Sequence, residues 1–111
     1  MIKNESRKTI LFENYKLGKS FFDKAFGLLI PSNPRTMLFK TRFGIHTFFM
    51  KENIDLIVLD KKNRVVSLKI NVKPNRIFLW NPRFDTILEL PNGTIKKSKT
   101  EIGDELSLSI A

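Results

Sequence analysis

The chain has no cysteine, a single histidine, a single tryptophan and no apolar run approaching the ~20 residues of a membrane span. Each shortage closes a class of function. Without cysteine there are no disulfides, thiol nucleophiles, iron–sulfur clusters or thiolate zinc sites. One histidine leaves no multi-histidine metal site within a chain, so no metal and no cofactor is expected. The opening segment MIKNESRKTILFENYK lacks the long apolar stretch of a signal peptide, and a cytoplasmic location is the expectation. No block reaches five consecutive like charges, and no repeat, linker or low-complexity segment interrupts the chain.

What is present fits one domain spanning 1–111, long enough to enclose a core without covalent staples. Hydrophobic residues make up 41%, with ten phenylalanines supplying most of the aromatic weight. The net charge of +9 is unevenly spread. Residues 1–52 hold ten Lys/Arg against four Asp/Glu, and residues 53–111 hold ten against seven. Most aromatics sit inside apolar runs rather than among exposed basic residues. The charge alone therefore predicts non-specific attraction to polyanions, not a nucleic-acid site.

Periodicity indicates short strands. RKTILFENYKLG (7–18) reads as an opening strand, and RTMLFKTRF (35–43), IHTFFM (45–50) and NIDLIVLD (53–60) as three more. A turn over KKN, with Asn63 at a left-handed position, joins Ile54–Leu59 to Arg64–Val72 in a hairpin. RIFLW (76–80), TILEL (86–90) and DELSLSI (104–110) complete the set, with Gly93 and Gly103 in turns. Neither glycine-bearing turn has phosphate-loop spacing or a following helix. Between the first two strands, Phe21, Phe22, Ala25, Phe26 and Leu29 recur at helical spacing after Ser20, and Pro31 and Pro34 stop the run. The expected fold is mainly β: an antiparallel sandwich or barrel-like domain with one or two short helices.

Several blocks, in order, resemble domain-of-unknown-function family 192, also grouped as uncharacterised protein family 0127, in its archaeal form. AFGLLI (Ala25–Ile30), TMLF (Thr36–Phe39), GIHTFFM followed by IDLIVLD and RVV, LELPNGT (Leu88–Thr94) and IGDEL (Ile102–Leu106) carry the resemblance from about Ala25 onward. Lys51, Glu52 and Asn53 stand where the family has Arg-Phe-Pro, and Asn92 where it has alanine. The resemblance implies a compact β-sandwich-like domain and brings no assigned activity.

Six residues are candidates for binding a ligand: His46, Lys51, Asp55, Arg76, Trp80 and Glu89. His46 lies among apolar neighbours, where a hydrogen-bonded structural histidine competes with a binding one. Asp55 interrupts a strand apolar on both faces, so its carboxylate needs a partner: Lys51, His46, Arg76 or local backbone N–H groups. Glu89 alternates with Leu88 and Leu90; it reads either as a solvated or salt-bridged residue or as a member of a polar patch with His46 and Asp55. Trp80 shares a proline-interrupted segment with Arg83 and Phe84 and either stacks on a ligand or covers the end of the core. The leading reading is a non-enzymatic module that binds a small polar or anionic ligand or a protein partner. Its rivals are a hydrolytic enzyme acting on a polar small molecule or glycan through Asp55 or Glu89 with His46, and a basic nucleic-acid-binding domain.

Overall fold

A computed structural model describes residues 1–12, 30–31, 38–40, 44–47 and 52–108. The phenylalanine-rich helix expected after Ser20 lies outside the described residues.

The centre of the fold is β6 (Ile54–Leu59), in which all six residues are buried. An apolar run with β-branched residues on both faces can only persist as a strand if both faces are covered. It pairs antiparallel with β7 (Val65–Val72) on one side and β9 (Thr86–Pro91) on the other. β4 (Leu38–Lys40) adds to β9, giving a four-stranded sheet in the order β4-β9-β6-β7. The expected hairpin closes as read. Asn63 takes φ 61°, and the Asp60 carboxylate accepts the N–H groups of Lys62 and Arg64 at 2.8 and 2.9 Å.

One face of this sheet is covered by a second sheet, β10-β1-β2, built from β1 (Ile2–Asn4), β2 (Thr9–Phe12) and β10 (Leu106–Leu108). Ile2, Leu11 and Leu106 pack there against Ile57, Leu59, Leu88 and Leu90. The other face is covered by a third sheet, β3-β5-β8, from β3 (Ile30–Pro31), β5 (Gly44–His46) and β8 (Ile77–Leu79). Ile45 there meets Ile54, Leu56, Val58 and Ile87. The fold is mainly β and antiparallel, as expected, with one parallel pair, β3 with β5. The sheets stack without closing, so the barrel alternative does not hold.

Three features depart from the expectation. β1 precedes the first expected strand, and Ile30–Pro31, placed in no expected strand, pair with β5. A five-residue helix, α1 (Thr94–Ser98), follows Gly93, where no helix was foreseen. Gly93 at its N-cap takes φ 95° and offers no side chain to the free N–H groups.

Candidate functional site

Asp55 supplies that missing cap from β6. Its side chain is fully buried. Oδ2 accepts the Gly93 and Ile95 N–H groups at 3.1 and 2.9 Å, and Oδ1 accepts the Asn71 N–H at 3.0 Å. Asn71 sits at an irregularity in β7 with φ 60°. One carboxylate thus joins a kinked strand to the start of α1, where negative charge also suits the helix end. The partners are backbone N–H groups, one of the possibilities open from sequence, but they come from 16 to 40 residues away rather than from nearby chain.

Strand register separates Asp55 from Glu89. Asp55 stands opposite Leu90, and Glu89 opposite Leu56. Directly opposed residues in an antiparallel pair share a face. Leu90 belongs to the apolar cluster beneath the β10-β1-β2 sheet, and Leu56 to the one beneath the β3-β5-β8 sheet. The two carboxylates therefore point to opposite sides of the central sheet. Glu89 is not a solvated residue: it is 1% exposed, on an inner strand between β4 and β6.

Arg76 and Trp80 lie on the Glu89 side. Thr47 braces the chain before β8: its hydroxyl donates to the Lys73 carbonyl and accepts the Arg76 N–H, both at 2.8 Å. The Arg76 side chain is exposed. His46 enters the description as a strand position, paired with Ile77 next to Arg76. Trp80 is half-buried against Phe78, with ring centroids 5.6 Å apart, and its indole N–H donates to the Phe84 carbonyl at 2.8 Å. Its polar atom is thus used within the fold. Lys51 lies outside the described residues. Of the six sequence candidates, Arg76, Trp80 and the His46 strand lie on the side of the central sheet that Glu89 faces, and Asp55 faces the other side. Among the described residues, no group of three or more His, Asp and Glu side chains has a metal-binding arrangement.

A different place offers an open concavity. At the end of the central sheet where Leu59 pairs with Thr86, the turn after β6 faces the segment before β9. Between them is a cleft of about 320 Å³ lined by Leu59, Asp60, Lys61, Lys62, Arg64, Arg83, Phe84 and Asp85. Both walls are fixed by their own hydrogen bonds. On one, Asn63 N–H donates to the Asp60 carbonyl at 3.0 Å, beside the carboxylate contacts already given. On the other, the Phe84 N–H reaches the Asn81 carbonyl at 3.0 Å, and the Arg83 N–H reaches the Asn81 side chain at 2.9 Å. Asp60 has a local counter-ion, with Arg64 Nε at 3.3 Å. Burial raises its carboxyl pKa, but the Arg64 and Lys62 N–H groups and the Arg64 charge outweigh this and hold it below the usual aspartate range. Thr86 donates to Asp85 at 3.1 Å. No ion pair among the described residues engages Lys61, Lys62 or Arg83.

None of the cationic cleft residues stood among the sequence candidates. The sequence signal available was the dense basic turn KKNR. Arg83 lies nineteen positions after Arg64, and only the Leu59–Thr86 register brings them together.

The model of the DUF192 family, described as Uncharacterized ACR, matches residues 5–108. The chain belongs to this family. The family's UPF0127 proteins include one from Pyrococcus horikoshii, 36% identical over 96% of each chain. Another, from Pyrococcus abyssi, is 31% identical over 96% of this chain and 95% of its own length. Among solved structures, a protein of unknown function from Novosphingobium aromaticivorans superposes with a TM-score of 0.58 at 15% identity, covering 69% of this chain and 60% of that one. A Sinorhizobium meliloti protein gives 0.54 at 19% identity over 68% and 64%. The match thus spans less than two thirds of either solved protein, and at such identity it carries the fold alone.

Proposed function

We propose that this member of the DUF192 family is a non-enzymatic binding module whose ligand is anionic and sits in the cleft between the β6–β7 turn and the segment before β9. The observation that carries this reading is charge held in a preformed place. Lys61, Lys62 and Arg64, with Asp60, stand on one braced turn and face Arg83 and Asp85 on the other. A site whose walls are ordered before binding loses less entropy on complex formation. The volume lies at the small end of ligand clefts, which run from ~300 Å³ upward.

A hydrolytic reading finds less support. General acid–base chemistry needs its groups to converge within hydrogen-bond reach of one substrate. Asp55 and Glu89 point into different layers, and both Asp55 oxygens accept backbone N–H groups.

The test is a calorimetric titration with inorganic pyrophosphate, in low salt and again near physiological ionic strength. Saturable binding at one site is expected. Lys62→Ala and Arg83→Ala should each weaken it by up to about fivefold, the range of exposed ion pairs. Absence of binding by the parent chain, or unchanged affinity in the double variant, contradicts the proposal.

A further inference from the structure

We infer that the cleft is built for a phosphate monoester carried on a flat aromatic body, chemically a nucleoside monophosphate, an inference that rests on the anionic-ligand reading above. Charge balance is the first argument. Four cationic and two anionic side chains line the cleft, a surplus of two positive charges. A phosphate monoester carries about −1.5 to −2 near neutral pH.

The second argument is size and lining. A water molecule occupies about 30 Å³ of liquid, so a cleft of about 320 Å³ holds far more than one phosphate group. That leaves room for a further body beside the half-buried Phe84. Phe84 is half-buried, packed on the cluster of Ile45, Leu56 and Val58, so its ring is held in place while it lines the cleft. A fixed aromatic ring beside cations is a platform for a planar base with an attached phosphate. Arg83, its sequence neighbour on the same hydrogen-bonded turn, lines the same cleft and can supply a guanidinium for the phosphate.

The experiment titrates the full chain with AMP, ribose 5-phosphate, adenosine and a short single-stranded oligonucleotide, with pyrophosphate as the reference anion. AMP is expected to bind at least about fivefold tighter than ribose 5-phosphate through base stacking, and tighter than adenosine through its phosphate. Phe84→Leu should bring AMP down to the affinity of ribose 5-phosphate and leave the latter unchanged. Phe84→Tyr, which keeps the ring, should retain the preference, and this second variant separates loss of stacking from loss of fold. Equal affinity for AMP and ribose 5-phosphate overturns the aromatic body while leaving an anion site. An oligonucleotide binding tighter than AMP overturns the monoester. Failure of every compound, pyrophosphate included, overturns the anionic reading itself.

Discussion

Asp55 shows how one residue is read differently by sequence and by structure. A carboxylate inside IDLIVL demands a partner, and that demand is visible from the residues alone. Its identity is not, because the three N–H groups belong to Asn71, Gly93 and Ile95. With both oxygens accepting, an amide in the same place would turn a donor toward a donor. Asp55→Asn should therefore cost about 1–3 kcal/mol, the range for leaving a buried polar group unsatisfied, without altering anion binding at the cleft. For a chain near 100 residues that is a fall in Tm of roughly 4 °C or more, readable by thermal denaturation. A variant of parental stability would show that the cap contributes nothing. Glu89 is the complementary case. Alternation with Leu88 and Leu90 made its facing legible, whereas its burial follows from β4 pairing on the outer side of β9, a long-range contact that no local pattern announces.

At the scale of elements, what could be read was what is encoded locally. The β6–β7 hairpin follows from two apolar runs and a left-handed asparagine between them. α1 escaped notice because TIKKS carries no apolar stripe long enough to register and takes its cap from another strand. β1 escaped because three residues hold too little alternation. Its place is secured by a polar cluster rather than by pattern. Asn4, fully buried, donates to the Thr100 hydroxyl at 3.1 Å and the Asp104 carboxylate at 2.9 Å. Arg7 donates to the same carboxylate at 2.7 Å and also pairs with Glu101. Burial raises the Asp104 carboxyl pKa, but Arg7, Asn4 and the Glu101 N–H outweigh it, and the net displacement is downward. A carboxyl held lower in the folded than in the unfolded chain adds stability above its unfolded pKa and loses it as pH falls through the folded one. Arg7→Met should therefore be less stable than the parent near neutral pH and should lose less on acidification, in urea melts taken from pH 7 to pH 3. Parallel stability–pH curves for the two chains would contradict this.

At the scale of the whole molecule, three stacked sheets distribute the chemistry. The central sheet is sealed on both faces, so its carboxylates serve the layers or the loops they touch. No helix among the described residues is long and apolar enough to cross a membrane. The family resemblance, read from five short blocks, agrees with the match over residues 5–108. The cleft was not legible because it is a product of topology: Lys61, Lys62 and Arg64 close one end of β6, and Arg83 enters the same end through β9. Net charge is a property of the whole sequence, whereas the pairing of Leu59 with Thr86 is what brings Lys61, Lys62, Arg64 and Arg83 to one cleft.

The most direct test of that placement is amide NMR of the ¹⁵N-labelled chain during addition of inorganic pyrophosphate. The account predicts saturable shifts concentrated on residues 60–64 and 81–85, with the amides of Asn71, Gly93 and Ile95 unmoved. Shifts centred instead on His46 and Arg76, or spread over the basic surface without saturation, would contradict it.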